Sequence, residues 1–393
     1  MLETLDTLPP DPILGLSVAF AADDNPNKID LGVGVYQDTS GHTPIMQAVL
    51  DAETKLLENE GTKSYMPQAG DAAFNTGIQH LLLGEEAATR YSERLTSIQT
   101  PGGCGALRIG AELINRSNPG CKVWVSDPTW PNHLPLLGGA GLNFETYSYY
   151  NKTEHRLDFD AMMDQVQQAA PGDILLLHGC CHNPSGADLT FEQWQAVTDL
   201  VLKQGLIPFV DIAYQGLGTG LEEDAAGWRW MAERVPEMLM ASSCSKNFGL
   251  YRERTGALII LAENGDTKAA AQSQALSAAR QIYSMPPSHG ALIAGLILQD
   301  ADLRQTWQNE LVEMQSRITS MRQALVQRLG SQFSFIQDEH GMFSFLGITP
   351  EQVTALREKH GIYMVASTRI NLAGLNASNL DYFDQAMQEV LMM

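Results

Sequence analysis

A lysine stands in a run of hydroxyls and glycine, Ser242-Ser243-Cys244-Ser245-Lys246-Asn247-Phe248-Gly249, and Arg254 follows it. Upstream, the apolar stretch Leu206-Ile207-Pro208-Phe209-Val210 runs into Asp211, with Tyr214 three residues further on. These residues offer an amine able to condense with an aldehyde, hydroxyls and a cation for a phosphate, and a carboxylate for a protonated ring nitrogen. Pyridoxal phosphate needs those groups at once. Taken singly, none is decisive. A lone lysine is usually solvated, Arg254 could serve a surface ion pair, and an isolated aspartate at a strand end more often caps a helix or pairs with arginine. Their company carries the reading, because a phosphate dianion would hold the cation through charge-assisted bonds of about 1.5–3 kcal/mol each.

Other constellations are weaker. Thr100-Pro101-Gly102-Gly103-Cys104-Gly105 precedes the helical pattern Ala106 to Leu113. Bare backbone and a helix N-terminus suit a phosphate, although such a turn is more often a simple connection and lacks the spacing of a Walker loop or a dinucleotide fingerprint. The run Gly216-Leu217-Gly218-Thr219-Gly220 precedes no apolar helix start and carries little weight. His178-Gly179-Cys180-Cys181-His182 raises a metal site, but neighbouring residues on extended chain point to opposite faces. No metal is expected, and His178 and His182 read as packed groups behind the site.

The elements that must position these groups alternate along the chain. Residues 121–127, 174–178, 206–211, 238–241 and 256–261 read as buried strands. Most are separated by helical patterns, which indicates an α/β fold with a largely parallel sheet covered by helices. In such sheets ligands collect beyond the strand carboxyl ends, where Asp127, Asn183, Asp211 and Lys246 all fall. A long amphipathic helix is expected over about 307–329, then strands over 333–336 and 342–346, and an early strand over 29–36 that joins them. This gives a large domain, 43–306, and a smaller discontinuous α+β domain, 1–42 with 307–393.

With 393 residues the chain can bury a sizeable core. Its net charge of -21 argues against nucleic acid and anionic membranes. Five scattered cysteines read as reduced thiols, no segment approaches a membrane span, and Met1 to Asp6 lack an apolar targeting run. A cytoplasmic protein is the expectation.

Residues 243–254 resemble the cofactor-lysine signature of class I pyridoxal-phosphate aminotransferases, in their aspartate/aromatic amino acid branch. The likeness spans nearly the whole chain. It takes in Leu31 to Tyr36, Ser64-Tyr65, Asp127 to His133, His182 to Gly186, Arg280 to Gly290 and Thr368-Arg369-Ile370-Asn371. It implies a fold type I transferase with a seven-stranded sheet and ping-pong chemistry through a Lys246 Schiff base. Lys246 would also shuttle the proton, Asp211 with His133 would hold the ring nitrogen, Tyr214 and Asn183 the ring oxygen, and Trp130 would stack on the ring. Gly103, Cys104, Ser243, Ser245 and Arg254 would hold the phosphate, joined by Tyr65 of a second subunit. Arg369, with Asn183 and the Gly34 backbone, would bind the substrate α-carboxylate, and Arg280 of a second subunit a side-chain carboxylate. A homodimer with shared sites follows from the resemblance, as does a cis Asn183–Pro184 bond.

Departures from aspartate-specific relatives bear on substrate. This chain has Gln37, Cys104, Met285 and Ser64 where those relatives typically carry Lys, Thr, Asn and Asn. A more apolar pocket favours Tyr, Phe and Trp with 2-oxoglutarate, alongside aspartate and oxaloacetate. The alternative is an aspartate aminotransferase with little aromatic activity. Decarboxylation or aldol cleavage would not need paired carboxylate-binding arginines, and a DNA-binding regulator would need a segment that has no room before Gly32.

Overall fold

The computed structural model describes residues 2–8 and 12–393, so Met1 of the N-terminal reading lies outside it. The chain divides into two compact units, one of Pro44–Ser316 with Glu339–Gly341 and the other of Met1–Thr43, Arg317–Asp338 and Met342–Met393. The division therefore falls inside the helix Ala301–Leu329, later than the expected 306/307. Among the described residues, no helix is long and apolar enough to cross a membrane.

The larger unit is built on one seven-stranded sheet. Across it the strands run Leu95–Pro101, Thr255–Leu261, Met238–Ser243, Ile207–Ile212, Ile174–His178, Lys122–Asp127 and Asn143–Ser148. The central strands are apolar on both faces because helices cover both. All neighbours are parallel except Thr255–Leu261, which is antiparallel to both of its own. The two outermost strands were not anticipated. Leu95-Thr96-Ser97-Ile98-Gln99 and Asn143-Phe144-Glu145-Thr146-Tyr147 intersperse polar residues, and such runs lack the continuous apolar signal of a central strand.

Packing across the sheet is close enough to dictate residue size. The helix Gly102–Ser117 lays Leu107, Ile114 and Gly110 on the sheet, and a Cβ at Gly110 would sit 2.5 Å from the Phe209 ring. Glycine is the only residue that lets this helix approach Phe209 so closely.

The smaller unit has two short pairs. Ile29–Asp30 runs parallel to Ile362–Tyr363, and Phe343–Phe345 runs antiparallel to Arg369–Asn371. Its core gathers Leu31, Leu325, Ile336, Leu356 and Phe383. Two expectations need correction. The early strand ends at Asp30 and not at Tyr36, because the Asp30 carboxylate accepts from the Gly32 and Val33 amides and turns the chain. Residues 333–336 are part of a 3-10 helix, Ser331–Asp338. Phe333 and Ile336, three residues apart, are both buried, which fits a period of three and not of two.

Phe209 reports on the main core because it is fully buried between sheet and helix. Phe209→Ala is expected to lower stability by about 3–5 kcal/mol in denaturant unfolding; a loss below about 1 kcal/mol would show that the ring is not close-packed.

Candidate active site

The sheet topology explains why distant residues meet. Thr255–Leu261 returns antiparallel after Met238–Ser243, so the chain leaves the sheet at Ser243 and re-enters it at the same level, with Gly256 opposite Ser243. The intervening loop therefore keeps Ser245, Lys246 and Arg254 beside one strand end. Leu95–Pro101 pairs on the other side, with Pro101 opposite Thr255, and delivers the N-terminus of the helix Gly102–Ser117 to the same place. Asp211 sits opposite His178 on one flank and Ala241 on the other.

A cavity of about 130 Å³ lies there, lined by Gly103, Cys104, Trp130, Asn183, Asp211, Tyr214, Ser243, Ser245, Lys246 and Arg254, together with Leu107, His178, Cys180 and Ala213. Every cofactor residue expected from sequence lines it except Tyr65 and the supporting His133, which stands behind Asp211. Ser243 Oγ lies 3.1 Å from Ser245 Oγ, and Arg254 Nη1 reaches Ser245 Oγ at 3.5 Å and the Tyr251 carbonyl at 2.9 Å. Arg254 takes a left-handed φ of 54°. A Cβ at Gly102 would be 2.4 Å from its Nη2. One at Gly103 would be 3.1 Å from the Ser243 Cβ. Bare backbone is what lets the helix N-terminus close on these hydroxyls and this guanidinium, a cradle suited to a phosphate. Cys104 adds a neutral thiol, since burial pushes its pKa up.

At the other side of the cavity, Asp211 Oδ2 lies 3.0 Å from His133 Nε2. Burial alone would push the Asp211 carboxyl up, but the His133 hydrogen bond and nearby positive charge, Lys246 included, outweigh it and hold the carboxyl below the usual range. Behind it, the Thr129 hydroxyl links His133 Nδ1 at 2.8 Å to His178 Nε2 at 3.1 Å. Burial, with His133 next to it, lowers His178 to about 3, so that ring is neutral at pH 7 and lends Asp211 no charge there. His182 stacks on Tyr149 at 4.0 Å and meets the Ser126 and Ser185 hydroxyls. Lys246 Nζ lies 5.2 Å from the Tyr214 ring centroid, and Trp130 meets His133 edge-on. The Asn183–Pro184 bond is cis, as is Asp127–Pro128. A ligand with a phosphate at one end and a basic ring nitrogen at the other fits these residues.

The remaining expected residues lie elsewhere. Tyr65 is 93% exposed, and Arg280 is exposed on the last turn of the helix Gly265–Ile282, bonded to Ser284 Oγ. Neither lines the cavity. Arg369 and Gly34 belong to the smaller unit, where Arg369 Nη2 donates to the Gly32 carbonyl at 2.6 Å and its guanidinium lies 4.3 Å from the Phe343 ring centroid. A Cβ at Gly34 would be 2.9 Å from that ring, so Phe343 requires a glycine there. Phe343 and Asn371, whose amide donates to the Val33 and Val35 carbonyls, were given no role from sequence. Phe343 was signalled only by its place in the alternating strand 342–346, and Asn371 only by its place in the motif Thr368-Arg369-Ile370-Asn371.

The thiols of Cys180 and Cys181 and the Asp224 carboxylate lie within 4.8 Å of one another. Yet both Asp224 oxygens are engaged by the loop 216–220, accepting from the amides of Gly216, Gly218, Thr219 and Gly220 and from the Thr219 hydroxyl. That loop matters more than its sequence suggested. It wraps the acidic first turn of the helix Leu221–Ala232, whose Leu-Glu-Glu-Asp start hides its apolar stripe.

A family model described as aminotransferase class I and II matches residues 26–387. The chain belongs to this family. It is 47% identical to the aspartate aminotransferase of Salmonella typhi over the full length of both chains. It is 46% identical to the aromatic-amino-acid aminotransferase of Paracoccus denitrificans, covering 99% of this chain and 100% of the relative. The aromatic-amino-acid aminotransferase of Burkholderia pseudomallei, solved covalently bound to pyridoxal phosphate, superposes with a TM-score of 0.97 at 43% identity, covering 100% and 99% of the two chains. The chain is thus a fold type I aminotransferase.

Because Asp211 is held ionised by His133, its stabilising effect is present above the ordinary aspartate range and is lost as pH falls through the lowered value. His133→Ala, without added cofactor, removes a hydrogen bond to a buried carboxylate and is expected to cost about 1.5–3 kcal/mol at pH 7 and progressively less in acid. Unfolding measured from pH 7 downward checks this; a difference independent of pH contradicts it.

Proposed function

We propose that this aminotransferase moves amino groups between aromatic amino acids and 2-oxoglutarate, accepts aspartate as well, and depends on pyridoxal phosphate. The observation that carries the reading is the single cavity with the Lys246 amine, a carboxylate kept ionised by His133, and a helix N-terminus flanked by Ser243, Ser245 and Arg254. Bound pyridoxal phosphate would supply an aldehyde carbon that condenses with amines and a ring that accepts the electron pair released at the substrate α-carbon.

The chain's residues would do the rest. Asp211 keeps a proton on the ring nitrogen, and that charge sustains the electron sink. Tyr214 and Asn183 would hold the ring oxygen, and Trp130 would stack on the ring. Gly103, Cys104, Ser243, Ser245 and Arg254 fix the phosphate, with the partner subunit's Tyr65. Lys246 Nζ would take the proton from the substrate α-carbon and hold it for return. Arg369 forks onto the substrate α-carboxylate, a planar bidentate match, aided by Asn183 and the Gly34 backbone. A side-chain carboxylate would meet the partner's Arg280.

A homodimer is supported by Tyr65 and Arg280, which are exposed and line no part of this chain's own cavity, so that they are free to serve a second subunit. A reducing, cytoplasmic setting accords with five free cysteines, four of them buried.

Aromatic substrates are favoured by the side chains that differ from aspartate-specific relatives. Met285 offers a soft apolar wall, and Gln37, Cys104 and Ser64 withdraw charge or hydrogen bonding, while each buried methylene-sized unit of substrate gains about 0.8 kcal/mol. Relatives of both names stand at 46–47% identity, so the substrate reading rests on these side chains.

Initial rates with tyrosine, phenylalanine and aspartate against 2-oxoglutarate test the reading. The expected result is kcat/KM for the aromatic acids at or above that for aspartate; a large preference for aspartate supports the narrower alternative. Arg280→Leu is expected to harm aspartate far more than phenylalanine, and equal losses contradict its role.

A further inference from the structure

We propose that Gln99 is a positioning residue for Tyr65, acting through the loop that carries it. This rests on the reading above, in which Tyr65 completes a second subunit's phosphate site. Gln99 lies on the outermost strand Leu95–Pro101 and is fully buried, with one edge of its backbone facing away from the sheet. That edge is covered by chain from the Tyr65 loop, because the Gln99 amide donates to the Ala69 carbonyl at 2.9 Å. Its side chain then makes two further bonds in opposite senses. Oε1 accepts from the Asp71 amide at 2.8 Å, and Nε2 donates to the Pro287 carbonyl at 2.7 Å.

Residues 60–71 contain no helix or strand, so nothing regular holds Tyr65. Its side chain is exposed on this subunit and must nevertheless be delivered with hydrogen-bonding accuracy. Beyond the Glu60 amide on the preceding helix and a local Ser64–Thr62 bond, the loop is fastened toward its end. Ala69 also accepts from the Asn75 amide group, and Gly70 donates back to the Pro67 carbonyl. Gly70 takes a left-handed φ of 86°, and a Cβ there would lie 2.3 Å from both Cβ and Oε1 of Gln99. Loop and glutamine are thus fitted to one another at a single junction, four to six residues from Tyr65. The bond to Pro287 stops that junction from swinging, since Pro287 precedes the helix His289–Gln299 that packs on Ala72–Leu83.

A buried glutamine that served stability alone would affect cofactor retention independently of Tyr65. Coupling is the discriminating property. Retention of pyridoxal phosphate by the dimeric holoenzyme is measured on dilution for the parent, Gln99→Leu, Tyr65→Phe and the double variant. The geometry predicts that Gln99→Leu weakens retention by a factor approaching that of Tyr65→Phe, about tenfold for one hydrogen bond to a phosphate. It also predicts that the double variant loses little more than Tyr65→Phe. Should Gln99→Leu fail to fold, Gly70→Ala strikes the same junction from the loop side and is expected to behave alike. Fully multiplicative losses in the double variant overturn the proposal. A normal Gln99→Leu beside a weakened Tyr65→Phe overturns it while leaving the shared-site reading intact. If Tyr65→Phe alone retains cofactor normally, the shared-site reading fails, and the role of Gln99 with it.

Discussion

A carboxylate taken out of water stays charged only where something replaces the water it has lost. At Asp211 the replacement is His133, and much of the surrounding structure exists to keep that pair intact. His133 is itself fully buried and is oriented through its other nitrogen by Thr129, which in turn touches a neutral His178. The charge thus rests on a chain of hydrogen bonds that starts at a strand end and leads back into the core. Without it, a cavity with a lysine and a phosphate cradle would remain, but a ring nitrogen at its far end would have no anion to hold its proton.

The sheet supplies the geometry for this. Parallel strands deliver Asp211 and His178 to one edge, and a single antiparallel strand brings Ser243 and Arg254 to the same edge eleven residues apart in sequence. A wholly parallel sheet would have returned the chain at the opposite end and separated the hydroxyls from the cation. The close fit of Gly102 and Gly103 against Arg254 and Ser243 belongs to the same arrangement. Two subsites are therefore consequences of one topological choice, which limits how far either could drift alone.

Much of this was legible in the sequence because residue types with costly burial stand at the ends of apolar runs. Asp211 after Phe209-Val210 and Lys246 after the strand Met238–Ser243 are such signals, and nearly all the residues tied to them line one cavity. Edge strands were not legible, since Leu95–Pro101 carries Ser97 and Gln99, which find buried partners only in the folded chain. The run 333–336 was misread because alternating aromatics satisfy a strand and a 3-10 turn almost equally over so few residues. Phe343 was legible as part of the strand 342–346 but its role was not. Its importance lies in what it touches, Arg369 and Gly34, and no local pattern encodes a contact.

The central claim is that Lys246 is the amine that meets an aldehyde in this cavity. Its most direct test is borohydride reduction of the freshly purified enzyme followed by peptide mass spectrometry. The account predicts one reduced pyridoxal-phosphate adduct per chain, carried by Lys246. An adduct on another lysine, or none after reconstitution with the aldehyde, would contradict it.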